Sequence, residues 1–124
     1  MVKKNWPLAR WKKELWKYFS LYVKYRDNFT CFTCGKSNLV GADCQSGHFI
    51  PAGACGLELY FNEDNVHVQC SHCNLALQGN QYLYGLKLGK KADELREIYN
   101  RRNNAFKYDK HDYERLIEKY KVLL

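Results

Sequence analysis

The sequence predicts a small α+β domain in which zinc staples a ββα core between N- and C-terminal helices. Three observations predict it. Two C-x-x-C pairs, Cys31/Cys34 and Cys70/Cys73, stand far enough apart for the chain between them to fold back and close one tetrahedral site of four thiolates. Two short β-prone segments, about Gly47 to Ile50 and Val66 to Gln69, lie between the pairs. The flanking stretches instead repeat apolar residues at three- and four-residue steps, the period of a helix.

Taken in order, Leu8, Trp11, Leu15, Phe19, Tyr22 and Tyr25 form one stripe from Pro7 to about Arg26, with Pro7 tolerated in the first turn. Trp16, Tyr18 and Leu21 widen that stripe, so a core helix and a dimerisation helix look alike here. Residues 35 to 46 read as a loop rich in Gly, Ser and Asn. Pro51, Gly53, Gly56 and the polar run Asn62 to Asn65 separate the β segments. Ser71 is the expected N-cap of a helix that starts inside the second knuckle, is weakened at Gly79-Asn80, and ends at Gly89. Lys90 to Asn104 reads as a further helix, and Asp109 caps a last one with Tyr113, Leu116, Ile117, Tyr120 and Leu124 on one face.

The 124 residues fit one domain, 1–124, divided into a basic aromatic helix (1–30), the zinc-bound core (31–88) and C-terminal helices (89–124). No apolar run is long enough to span a bilayer and the first residues lack an apolar signal core, so no membrane partner and a cytoplasmic location are expected. Six cysteines could form three disulfides in a secreted chain, but paired knuckles without a signal favour a metal in a reducing compartment. Cys44 and Cys55 lack knuckle spacing and read as small buried or free thiols, with a role for Cys44 near the zinc loop left open.

The net charge of +7 is unevenly placed. Residues 1 to 30 hold eight Lys and Arg against two acids, and residues 81 to 124 eleven against seven. The middle, 31 to 80, holds Lys36 against Asp43, Glu58, Glu63 and Asp64. Basic flanks around a near-neutral centre suit a protein that grips phosphates at its edges and a divalent cation in its middle, although basic helices also serve solubility alone. Lys12, Lys13, Lys17, Arg101 and Arg102 are the candidate DNA contacts.

Hydrolysis of a phosphodiester needs a base for water, a cation for the developing charge and groups that orient both. A zinc-held hairpin followed by a helix can set a histidine on a strand across from a metal ligand on the helix. His48 and Asn74 occupy those positions. A lone strand histidine is more often structural, and the setting between two knuckles is what favours chemistry here.

Ser-Leu-Tyr-Val-Lys-Tyr-Arg-Asp (20 to 27), Cys-Phe-Thr-Cys-Gly (31 to 35), Gly-His-Phe-Ile (47 to 50), Phe-Asn-Glu-Asp-Asn-Val-His (61 to 67), Gln-Cys-Ser-His-Cys-Asn (69 to 74) and Gly-Asn-Gln-Tyr-Leu-Tyr (79 to 84) stand in series. These blocks resemble the phage NinG family, collinearly over about residues 8 to 95. The resemblance implies an HNH-like, ββα-metal nuclease that cleaves branched recombination intermediates such as Holliday junctions and D-loops in a phage-infected bacterial host. It implies structural zinc on Cys31, Cys34, Cys70 and Cys73, His48 as general base, Asn65 as the brace of the hairpin, and Asn74 as ligand of a catalytic Mg²⁺ or Mn²⁺. Symmetric cutting of a junction further implies a homodimer, with the N-terminal helix as candidate interface.

One departure stands out. Many such enzymes carry Asp or His immediately before the base as a second metal ligand, where this chain has Gly47. Asp43, Glu63, Asp64 and Asn80 are candidate replacements, with Asp43 the tentative choice; His48 acting as ligand rather than base is a further possibility. His67 and His72, beside the second knuckle, are expected to be non-catalytic because four thiolates already complete a tetrahedron. Two rival readings share the zinc and the basic flanks: a non-enzymatic zinc-bound DNA-binding recombination accessory protein, and a nonspecific HNH nicking endonuclease.

Overall fold

The computed structural model describes residues 5–102 and 105–124. Helix α1, Leu8–Arg26, turns the aromatic stripe inward: Trp11, Leu15, Phe19 and Val23 are buried. Antiparallel strands β1, Gln45–His48, and β2, Val66–Gln69, pair in the register Gln45↔Gln69, Ser46↔Val68, Gly47↔His67 and His48↔Val66. Alternation along a strand therefore places Ser46, His48, Val66 and Val68 on one face and Gln45, Gly47, His67 and Gln69 on the other. The first face meets α1, where the Ser20 and Ser46 hydroxyls lie 2.9 Å apart and Val66 and Val68 join Phe19 and Val23 in the main core.

The last helix, α5 (Lys110–Leu123), closes that core by laying Tyr113, Ile117 and Tyr120 against α1. Phe19 meets Tyr120 edge-on at 5.1 Å and Phe61 at 5.6 Å, which suits the positive edge and negative face of aromatic rings. Asp109 caps α5 as expected, accepting from the Asp112 amide while the Asp112 carboxylate accepts from Asp109 N. α5 and the hairpin cover Trp11, Leu15, Phe19 and Val23 of α1, while Leu8, Leu21 and Tyr25 of the same helix stay exposed.

The connection between the strands carries a short helix, α2 (Gly56–Tyr60), and the chain after β2 carries α3 (Gln81–Leu88) and α4 (Lys90–Asn100). These three build a second core of Phe49, Cys55, Leu59, Tyr84, Leu88, Ala92 and Leu95. Arg26 ties the end of α1 to β2 and the turn before it: its guanidinium donates to the carbonyls of Glu63 and Val66 while pairing with Asp27, whose carboxylate accepts from Val68 N.

Three expectations are corrected. The helix from the second knuckle to Leu88 is two pieces, a π-helical turn His72–Ala76 and α3, because Gln78, Gly79 and Asn80 all take left-handed backbone with φ of 51°, 92° and 49°. Ser71 does not cap that turn; it donates its N–H and hydroxyl to Asp43, which reaches in from the preceding loop. The helix expected over Lys90 to Asn104 stops at Asn100, and residues 103–104 lie outside the described residues. Replacing Phe19 by Ala is expected to destabilise the zinc-loaded protein by about 3–5 kcal/mol, the usual cost of emptying a buried aromatic site, measured by chemical denaturation.

Candidate active-site groove and metal centre

The two knuckles meet. The sulfurs of Cys31, Cys34, Cys70 and Cys73 lie within 4.8 Å of one another, and Cys34 Sγ and Cys70 Sγ are 3.7 Å apart. A tetrahedral zinc with Zn–S bonds of about 2.3 Å sets its sulfurs about 3.8 Å apart, so the donor set fits that ion. The surrounding donors fit as well: Cys34 N–H points at Cys31 Sγ, Cys73 N–H at Cys70 Sγ, and Asn80 Nδ2 at Cys73 Sγ, at 3.4 to 3.6 Å. Burial alone would raise the Cys31 thiol, but the amides of Cys34, Cys70 and Thr33 and the Thr33 hydroxyl together bring it down to about 6. Burial pushes Cys34 up to about 12, its contacts with the other three thiols adding to the rise against the pull of the Lys36 amide. Four sulfurs this close need a cation to hold them all as thiolates. Cys44 and Cys55 stay outside the cluster, buried, with both thiols raised by desolvation.

Beside this centre runs a groove of ≈ 320 Å³ lined by Ser46, Gly47, His48, Pro51, Ala52, Asn74, Gln78, Gly79 and Gln81. His48 and Asn74, from different elements, share it. Lying 2.9 Å from the Tyr60 carbonyl, which can only accept, His48 Nε2 must carry the proton. Nδ1 is thereby left with its lone pair. The ring stacks on Trp16 at 5.2 Å and 15°, and Tyr60 packs against it at 4.7 Å. Burial lowers the imidazole below its ordinary range; the Tyr60 carbonyl opposes this and Lys12 adds to it.

Asn65 is fully buried and joins the two ends of the hairpin connection. Its Oδ1 accepts from Ile50 N at 2.7 Å, and its Nδ2 donates to the carbonyls of Leu59 and Ile50. The segment carrying the Tyr60 carbonyl is held next to the strand end carrying His48. Asn74 sits in the π-helical turn directly after Cys73, with its Nδ2 donated to Gln45 Oε1 at 2.7 Å. Gln45 in turn donates to the Ala42 carbonyl.

This chain matches the family model described as Bacteriophage Lambda NinG protein over residues 2–124. The chain belongs to the NinG family. Protein ninG of Escherichia phage lambda is 33% identical over 101 residues, covering 77% of this chain and 48% of that protein. Protein ninG of Escherichia phage 933W is 32% identical over the same length, and that of Salmonella phage P22 is 31% identical over 83 residues, 66% of this chain and 39% of that protein. The NinG chain described here thus spans about half the length of the first two relatives and less of the third. No solved structure matches it.

Of the further ligands considered for the cation, Asp43, Glu63, Asp64 and Asn80, none lines the groove of this NinG chain. Asp43 is occupied by Ser71 and by Lys36 at 2.8 Å, partners that hold its carboxyl far below the usual range. Glu63 accepts from Tyr22 and Tyr120, Asp64 pairs with Lys91, and Asn80 faces the thiolates. His67 is packed between Phe32 and Tyr84, and burial brings it down to about 4; His72 is exposed. Lys12 places its ammonium 4.1 Å from the Tyr60 ring centroid, beside the groove. Lys13 and Lys17 share an exposed face of α1 with Arg10. Arg101 and Arg102 form a separate group at the end of α4, Arg101 at 3.8 Å from Glu58 and Arg102 over Tyr99.

Sequence reasoning missed Trp16, Tyr60, Gln45, Gln69 and Tyr84 as parts of this site. Tyr84 donates its hydroxyl to the Gly47 carbonyl at 2.7 Å and pins the groove floor. Purified protein is expected to hold one zinc per chain by elemental analysis, and a strong chelator or Cys31→Ser to abolish its cooperative unfolding transition.

Proposed function

We propose that this protein is a metal-dependent DNA endonuclease acting on branched recombination intermediates such as Holliday junctions and D-loops. The observation that carries this reading is the fixed tautomer of His48 in the same groove as Asn74. With Nε2–H given to the Tyr60 carbonyl, Nδ1 can accept a proton from a water as that water attacks phosphorus. Stacking on Trp16 holds the ring in place, and Asn65 holds the strand end and carbonyl that position it. A bound Mg²⁺ or Mn²⁺ would offset charge on the phosphate and the leaving oxygen. Asn74 offers it an oxygen whose direction is set by the bond from Nδ2 to Gln45.

Among the described residues, the groove lining contains no carboxylate, so a phosphate meets no like charge from them. Lys12 stands beside the base, while Lys13 and Lys17 continue along α1 and Arg101 and Arg102 offer a second basic group. Preference for branched DNA rests on the family resemblance together with this division of basic groups. Paired incisions across a junction would take two chains.

End-labelled four-way junction, incubated beside matched linear duplex with Mg²⁺ or Mn²⁺, is expected to be cut selectively. His48→Ala should lower cleavage by at least about a hundredfold, the scale of a lost general base, while zinc content and junction binding persist. Binding without cutting under either cation would leave the accessory-protein reading in its place, and equal cutting of duplex would leave the nonspecific nicking enzyme. The pH profile follows from the depressed His48 pKa. Neutral imidazole is the competent form, and folding lowers its pKa from the ordinary 6.5. Single-turnover cleavage should therefore be flat above about pH 7 and fall about tenfold per unit once the pH drops below the folded value.

A further inference from the structure

Gln69 is fully buried on β2, on the same face as Gly47. Its Nε2 donates to the Gly79 carbonyl at 2.8 Å and to Thr33 Oγ1 at 3.3 Å. A carbonyl can only accept, so the amide orientation is settled and Oε1 points the other way. That oxygen is buried and has no hydrogen-bond partner among the described residues. An orphaned buried carbonyl oxygen carries its full desolvation penalty unless something offsets it.

The Gly47 position locates this oxygen. A Cβ built there would collide with Gln69 Oε1 and come within 3.0 Å of Asn74 Oδ1. The backbone at Gly47 is not left-handed, so glycine is required for space rather than for conformation. Asn74, which lines the groove, and the buried Gln69 thus set two amide oxygens around the point that a Gly47 Cβ would occupy. Each has its nitrogen end committed elsewhere, Gln69 to Gly79 and Asn74 to Gln45, which is itself anchored on Ala42. Two acceptors facing one space with no donor between them repel each other, and a hard cation converts that repulsion into coordination.

We propose that Gln69 Oε1 and Asn74 Oδ1 together hold the divalent cation, with Gly47 leaving the room for them to meet. The inference rests on the metal-dependent reading above and names its ligand pair. Both oxygens are neutral, so the ion binds the free protein weakly. A DNA phosphate supplies the missing negative charge.

The test uses zinc-loaded full chain and Mn²⁺ alone, with bound Mn²⁺ measured by electron paramagnetic resonance and junction cleavage assayed in parallel. Gln69→Met, which keeps the volume without the oxygen, and Gly47→Ala, which displaces it, are each expected to weaken Mn²⁺ binding about tenfold or more, as is Asn74→Ala. Gln69→Glu is expected to tighten it. Wild-type Mn²⁺ affinity in Gln69→Met alongside a loss in Asn74→Ala would overturn the ligand pair while leaving the nuclease reading intact. Absence of cleavage by wild-type protein that still binds Mn²⁺ through Gln69 would do the reverse. Should Gln69→Met fail to retain zinc, wild-type ¹⁵N spectra decide. Broadening of the Gln69 and Asn74 side-chain amides at substoichiometric Mn²⁺ supports the pair, and an unaffected Gln69 amide overturns it.

Discussion

Four sulfur atoms from two distant turns are confined within 4.8 Å of one another, and the arrangement of the groove follows from that confinement. Each knuckle abuts the hairpin: Phe32 N–H donates to the Val68 carbonyl at 2.7 Å, and Cys70 directly follows β2. Closing the sulfur cluster therefore fixes the turn after Cys73 relative to the strands. Asn74, the next residue, is delivered to the edge of β1 at Gly47. A metal at the cysteines need take no part in chemistry to decide where the chemistry can occur.

The polar interior beside the cluster is built from amides rather than acids. Gln45, Asn65, Gln69 and Asn74 each give their nitrogens to oxygen acceptors, mostly backbone carbonyls, and so turn their oxygens in defined directions. Asn65 spends its oxygen on Ile50 N–H and is fully satisfied within the chain. Among the described residues no donor meets the Gln69 oxygen, and that of Asn74 lies toward Gly47, which sets the pair apart from the Asn65 brace. An amide network also carries no net charge, so it sets no like charge against an anion that approaches the groove.

The parts of this fold written in local periodicity were legible. The stripe of α1, the β2 segment and the Asp109 cap all follow from residues within a few positions of one another. The cysteine quartet was legible too, since knuckle spacing is itself local. What escaped was set by contacts across the chain. Asp43 looks like a free acid in a loop, yet it is consumed by Ser71 nearly thirty residues on. Gln45 and Gln69 belong to no motif, and only their direct pairing across the sheet puts them on the face of Gly47. A glycine flanked at period two by a glutamine was the available signal. The break before α3 was half visible at Gly79-Asn80, but the left-handed Gln78 that completes it carries no compositional mark.

The pairing of α1 with α5 also bears on how the chain is made. Synthesis delivers the aromatic stripe of α1 first and its cover, Tyr113, Ile117 and Tyr120, last. Until the ribosome has released nearly the whole domain, Trp11, Leu15 and Phe19 have no native partner on that side. Such a nascent chain depends on the hairpin and knuckles forming early to shield it, or on a chaperone that binds exposed aromatic helices. Metal supply during translation would then govern yield as well as final stability.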